Sequence, residues 1–315
     1  MENRTPEEER EYRRYLRKRI RMRKRRRKVM IARAIVFVVA MCIVFLLSYG
    51  VVKLTTGGSK KDKGAEPTAA PTATPLVVEV PEGYEEIYQS LYGLREDYPQ
   101  MDDILLGMAQ YPQELLELLA KNQETITFVS NYLMHVDDAK ASGKIEEADL
   151  DQNIPLFLQW DERWGYVRYG DNIVAINGCG PTCMSMVYTG LTGETDKSPA
   201  DIADFCMEHD YYTSESGTSW LLMSKGAELL GLTAEQVVIS EQEIKKQLKA
   251  GKPVICSMKP GDFTDTGHFI VLRGISDTDM LSVNDPNNRE RSGKEWELSQ
   301  VVGQMKAAWA YSYTK

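Results

Sequence analysis

The chain has 315 residues, 27% charged and 43% hydrophobic, with a formal net charge of −8 at pH 7. That length holds one sizeable folded domain plus accessory segments, and the absence of any 20–50-residue period excludes a repeat protein. The charge is divided: residues 1–33 carry 15 Lys/Arg against 5 Asp/Glu, leaving 23 against 41 in the remainder, so the two parts face different environments.

Residues 1–28 form a basic tail, with the run Arg13 to Lys28 at its centre. From Ala34 to Val52 the chain runs 19 residues without a charge, close to the ~20 needed to cross a bilayer as a helix. With Arg33 able to snorkel to the headgroups, residues 29–52 read as a transmembrane helix. A cleaved signal peptide would have an apolar core of ~7–15 residues and a small-residue cleavage site, so an uncleaved anchor is the better reading. Lys/Arg accumulate on the cytoplasmic flank of a span. The basic run therefore reads as a topology signal and not as a nucleic-acid site. The expectation is a single-pass protein of the cell membrane, N-terminus cytoplasmic, its partner the lipid bilayer through 29–52 and everything after residue 53 extracytoplasmic.

Residues 53–76 are Gly, Ser, Thr, Ala and Pro rich with almost no large apolar side chains, and read as a disordered linker. As a flexible coil it would average roughly 25–30 Å end to end. Residues 77–148 read as a helical region. Tyr84 to Leu94 and Met101 to Met108 place apolar residues at three- and four-residue spacing, Pro112 opens a helix carrying Leu115, Leu116, Leu118 and Leu119, and Thr125 to Leu133 continues. Nothing in this region supplies a catalytic set, so it is read as packing on, or positioning, the domain behind it.

Residues 149–315 mix both kinds of element. Helices are expected from about Gly180 to Leu191, with Pro181 in the first turn and Gly193 after the end, from Trp220 to Leu230 behind Thr218-Ser219 caps, and from Glu241 to Lys249. Strands are expected at Pro253 to Met258, His268 to Ile275, Leu281 to Val283 and Ala308 to Tyr313. Helices followed by strands indicate an α+β domain with antiparallel pairing between consecutive strands.

The chemistry gathers in three places. Cys179 lies in Gly178-Cys179-Gly180-Pro181-Thr182-Cys183, at a helix start whose free N–H groups and dipole favour a thiolate. Standing alone, it is as readily a buried structural cysteine. Cys183, one turn further in, is the rival nucleophile with fewer free N–H groups near its sulfur. His268 opens an alternating strand, after a polar loop, that puts His268, Ile270 and Leu272 on one face. A lone histidine there is ordinarily structural, but His135 and His209 are the only others, and His209 reads as exposed in a polar helix end. Asp285 follows the next strand and precedes Pro286. It is either a turn former or the group that holds the imidazole tautomer, with Asn284 as the fallback. Gln159, 20 residues before the cysteine, offers an amide to a developing oxyanion beside the backbone N–H of Cys179.

The remaining cysteines supply neither a staple nor a metal site. Cys42 lies in the apolar stretch, and Cys183, Cys206 and Cys256 sit in apolar contexts as small hydrophobes. Cys179-x3-Cys183 has no nearby histidine to complete a zinc site. No metal or organic cofactor is implied.

Taken in order, Gln159-Trp160-Asp161-x-x-Trp164-Gly165, Gly178 to Thr182, Gly217-Thr218-Ser219-Trp220, Gly251 to Ile255, Gly267 to Leu272 and Asn284-Asp285-Pro286 resemble a Peptidase_C39-like family. These are papain-like cysteine peptidases related to bacteriocin double-glycine leader peptidases, and the likeness covers roughly residues 154–311. It implies a papain-like fold, Cys179 as nucleophile, His268 as general base, Asp285 as its orienting partner and Gln159 in the oxyanion hole. The transporter-fused members carry an ATPase; no G-x-x-x-x-G-K-[ST] loop occurs here. The expected activity is thiol-dependent hydrolysis of an amide in an exported polypeptide or a cell-wall peptide. A non-catalytic peptide-binding module and an acyltransferase or transpeptidase using the same acyl-enzyme are the alternatives.

Overall fold

The computed structural model describes residue 76 and residues 78–314, except 137–139 and 216. The basic tail, the apolar stretch 29–52 and the linker up to residue 75 lie outside them. Among the described residues no helix is long and apolar enough to cross a membrane.

Among the described residues upstream of residue 137 the apolar spacing produces four short α-helices, α1 (Glu85–Tyr92), α2 (Met101–Leu106), α3 (Gln113–Lys121) and α4 (Ile126–His135). Their inward stripes, including Leu91, Ile104, Leu115, Leu119 and Val129, are fully buried. None of these helices could bury its stripe alone. The shared core is completed by Leu158, Trp160, Tyr166, Ile173 and Ala175 from the adjoining segment. Residues 74–315 accordingly form one compact unit, and the helical region is packed into it across the 148/149 boundary.

Beyond residue 167 a two-residue hairpin, β1 (Arg168–Tyr169) with β2 (Asn172–Ile173), leads into α5 (Val174–Asn177) and then α6 (Cys179–Thr192). The expected stop signal operates: Gly193 takes a left-handed φ of 77° and its N–H donates to Thr189 O. The start lies one residue earlier than the sequence indicates. Cys179 is the first helical residue, and no side chain caps the helix at Gly178. After α7 (Pro199–Glu208), with its Ser198/Asp201 capping box, the hairpin β3 (Tyr212–Thr213) and β4 (Gly217–Thr218) returns to α6. The helix expected over 220–230 is broken. A 3-10 turn at Trp220–Met223 gives way at Ser224 (φ −115°, ψ −86°) to α8 (Lys225–Leu229), with Ser219 capping the first piece. Thr218 is not a cap; its hydroxyl bonds Tyr169 Oη at 2.9 Å.

The C-terminal part supplies β5 (Thr233–Gln236), α9 (Glu241–Lys249), β6 (Val254–Met258), β7 (His268–Ile275), β8 (Met280–Asn284), α10 (Arg289–Gly293), β9 (Glu295–Glu297), α11 (Leu298–Val302) and β10 (Met305–Ser312). They build a six-stranded antiparallel sheet in the order β5-β10-β6-β7-β8-β9. Consecutive pairing holds from β6 to β9 and fails for β10, which crosses back to lie between β5 and β6. Its side chains explain the move. Ala307, Trp309 and Tyr311 face the core shared with α6 and α7, while Ala308 and Ala310 face the opposite core with Ile244 and Leu248 of α9. A strand buried on both faces belongs in the middle of a sheet, and an apolar run without polar alternation is its signature. The same alternation in β7 sends Phe269 and Val271 to the first core and Ile270 and Leu272 to the second.

The junction of α5 and α6 is the tightest point near the site. A Cβ at Gly178 would stand 2.4 Å from the Val174 carbonyl oxygen, and one at Gly180 would stand 2.7 Å from the Thr218 side chain. Since backbone cannot yield as a side-chain tip can, Gly178→Ala should lower stability by about 1–3 kcal/mol. A urea midpoint equal to wild type would contradict that packing.

Candidate active site

Three separate elements deliver the site, and the sheet register explains how they meet. The β7/β8 pairing sets Val271 opposite Asn284, so the start of β7 lies beside the turn at the end of β8. His268 and Asp285 are thereby juxtaposed: His268 Nε2 stands 2.8 Å from Asp285 Oδ1. Helix α6 packs on the Phe269/Val271 side of β7, and its first residue, the partly exposed Cys179, lies near enough to favour the charged form of the His268 ring. With Nε2 committed to Asp285, Nδ1 is the ring atom left for the thiol.

Asp285 is fully buried and its carboxylate is held from three sides. Oδ1 also accepts the Asn287 N–H at 2.8 Å, and Oδ2 lies 2.7 Å from Arg291 Nε in an ion pair. The Asp285 N–H donates to Ser292 Oγ at 2.8 Å. Asn284, the alternative partner, is turned elsewhere, its amide donating to the carbonyls of Ile154 and Pro155 at 3.0 Å each.

Burial alone would discharge the His268 imidazole, but the Asp285 charge and hydrogen bond, reinforced by Cys179, outweigh it and raise the ring from 6.5 to about 10. The sign for stability is set by the raised folded value. The contribution is complete below about pH 6.5, declines as pH rises and is gone above about pH 10. Wild type should therefore lose on the order of a few kcal/mol between pH 6.5 and 10, and His268→Gln should flatten that slope. Parallel wild-type and variant curves from denaturant titrations across the range would contradict the coupling.

Cys183, the rival nucleophile, has different surroundings. Cys183 is fully buried, and burial, with the Cys179 and Asp285 charges adding to it, pushes its thiol well above the ordinary range. Burial likewise raises Cys206, to about 12, and Cys256 still higher. His209 is exposed, as expected, with Nδ1 on the Phe205 carbonyl; His135 stacks on Tyr166 in the helical core. Neither is at the site.

Gln159 is buried beside the turn that precedes Cys179. Its amide nitrogen donates to the Ala175 carbonyl at 2.7 Å and faces the Ile176 carbonyl at 3.4 Å. Its backbone N–H donates to Pro286 O at 2.7 Å. One loop thus ties the amide, the approach to the cysteine and the acid-bearing turn together. Among the described residues no group of His, Cys, Asp or Glu could hold a metal ion.

Sequence reasoning missed the supports around Asp285. Arg291 lies in the charged run Arg289-Glu290-Arg291, where no local pattern marks it. Trp160, whose Nε1–H donates to Asn287 O at 2.9 Å, was noticed only as part of a motif. Asn122, donating to the same carbonyl at 2.6 Å, carries no local signal at all.

The profile of the Peptidase_C39 like family matches residues 151–315. None of the curated proteins matches the chain. Among solved structures, the peptidase domain of Streptococcus ComA, a bi-functional ABC transporter involved in a quorum-sensing pathway, is 18% identical with a TM-score of 0.35, covering 44% of this chain and 93% of its own. A double glycine motif protease from an AMS/PCAT transporter, in complex with the leader peptide, is 16% identical with a TM-score of 0.34, covering 56% of this chain and 96% of its own.

Proposed function

The chain belongs to the Peptidase_C39-like family, and from that premise we propose that it is a thiol-dependent peptidase working from a papain-like site on Cys179, His268, Asp285 and Gln159. The observation that carries the reading is the hydrogen bond between His268 and the buried Asp285, with Cys179 at the start of the helix packed on that strand and favouring the charged ring. The Cys179 thiolate attacks a peptide carbonyl, and the charge that develops on its oxygen meets the Cys179 backbone N–H and, once it exchanges a bond to the Ala175 or Ile176 carbonyl, the Gln159 amide. His268 gives its Nδ1 proton to the departing amine, leaving a thioester on Cys179. The neutral ring then takes a proton from water as the water attacks the thioester, the C–S bond breaks to release the acid product, and the thiolate–imidazolium pair is restored.

In this reading residues 149–315 are the peptidase domain, 77–148 a helical region docked on it, and 53–76 the tether to a membrane helix at 29–52 with the basic tail in the cytoplasm. The uncharged stretch from Ala34 to Val52 behind a strongly basic flank supports the anchor. Its substrate is then an exported polypeptide or a cell-wall peptide met at the outer face of the membrane.

Incubating the protein with a peptide mixture and reading new termini by mass spectrometry tests the activity. Cleavage by wild type and none by Cys179→Ala is expected. Equal product from both would contradict the assignment, and products joined to an added amine in place of free acids would redirect it to acyl transfer. For the topology, protease added to intact cells should remove the C-terminal domain; full protection would contradict the anchor orientation.

A further inference from the structure

The helical region reaches into the turn that carries Asp285, and it does so through groups that surface packing does not require. The Asn122 side chain, only 6% exposed, donates to the Asn287 carbonyl at 2.6 Å. The N–H of that same Asn287 donates to Asp285 Oδ1, the oxygen that faces His268. Residue 287 is therefore pinned on both sides, by Asp285 through its N–H and by Asn122 together with Trp160 through its carbonyl. Two residues along the helical region, the half-buried Glu124 places Oε2 3.1 Å from the Arg289 N–H and Oε1 3.3 Å from the Glu290 N–H. These are the first two residues of α10, the helix that carries Arg291 to the other carboxylate oxygen. A carboxylate on free N–H groups at a helix start is a favourable cap. Asn122 Oδ1 in turn accepts the Glu124 N–H at 3.2 Å, so the two side chains are set by one local turn.

A third contact, Lys121 Nζ to Asp265 Oδ2 at 2.8 Å, touches the loop that leads to His268. Both of its side chains are well exposed, and such a pair contributes little. Among the described residues the charged and titratable groups acting on the ring and its acid are Cys179, Asp285 and Arg291, with Glu124 and Arg289 at the next remove.

Resting on the peptidase reading above, we propose that Asn122 and Glu124 of the helical region are positioning residues that fix the Asp285 turn, so that the region is part of the catalytic unit. Neither touches substrate. Both act through Asp285 and Arg291 on the orientation and charge of His268, and so on the thiolate of Cys179.

The test is the pH profile of Cys179 alkylation by iodoacetamide in the full chain, mapped by mass spectrometry, together with the thermal midpoint of each variant. At pH 6 Asn122→Leu should react about tenfold more slowly than wild type, since a small misplacement in such a site is costly. Glu124→Ala should react about threefold more slowly with its folding intact, and Glu124→Gln, which keeps one acceptor, should recover most of the loss. A role confined to packing would lower the melting temperature and leave the profiles superimposed; superimposed profiles overturn the proposal. Should Asn122→Leu fail to fold, the Glu124 pair decides alone. Wild-type Cys179 no more reactive than in His268→Ala would bring down the peptidase reading itself, and this proposal with it. Wild-type activation with unshifted Glu124→Ala would remove only this one.

Discussion

His268→Ala should leave the fold standing and lower peptide cleavage by about 10³–10⁴-fold, the scale on which loss of a general base that also activates its nucleophile is felt. The ring performs two tasks in the proposed cycle. As an imidazolium it holds the Cys179 proton away from the sulfur, and as a neutral base it activates water against the thioester. No other imidazole can substitute, because His209 is exposed at the end of α7 and His135 is stacked in the helical core. The loss should fall mainly on kcat, since both tasks belong to the chemical steps. Unchanged kcat with a raised KM would mean that His268 binds peptide without moving a proton.

Asp285→Asn should be nearly as damaging and should cost stability as well. An amide has one acceptor where the carboxylate has two, and three groups converge here: His268 Nε2, the Asn287 N–H and Arg291. If the amide oxygen stays toward His268, its NH2 confronts the Arg291 guanidinium, donor against donor. If it turns, the NH2 meets the Asn287 N–H and forces His268 Nε2 to accept, which fixes the wrong tautomer. Either arrangement should lower cleavage by about 10³–10⁴-fold and stability by about 2–4 kcal/mol, because Arg291 is left largely buried without its counter-ion. Pairing the change with Arg291→Met separates the two effects. Removing both charges should restore most of the stability and none of the activity, since an apolar replacement of a buried pair is often near neutral. Stability unrecovered in the double variant would show that Arg291 serves chiefly through its other bond, to the Asp262 carbonyl at 3.2 Å.

Short-range chemistry was legible in the sequence. Leucines at helical spacing gave α3, a glycine free to take positive φ gave the end of α6, and the apolar runs gave β6, β7 and β8 within a residue or two. The candidate site residues stood out for a related reason. A thiol between glycines, a histidine at a strand start and an acid after the next strand are each unusual in context, and antiparallel pairing of β7 with β8 was enough to bring two of them together.

What escaped depends on partners far away in the chain. β5 (Thr-Ala-Glu-Gln) is a mostly exposed edge strand with no apolar alternation, and becomes a strand only because β10 offers it a ladder. The crossing of β10 is decided by two cores at once and not by its neighbour β9. Arg291 and Asn122 are polar residues in polar stretches, and their value comes from a buried carboxylate that no local pattern reveals. The helical region was placed correctly as helices, yet its bonds to the Asp285 turn span 165 positions.

The most direct test of the central claim is the rate of Cys179 alkylation as a function of pH in wild type and His268→Ala. A thiolate–imidazolium pair predicts rapid wild-type modification at Cys179 well below pH 7, with Cys183 untouched, and a His268→Ala profile that rises only near the ordinary thiol range of about 8.5. Wild-type Cys179 titrating like a free cysteine, with the His268→Ala profile overlying it, would contradict the account.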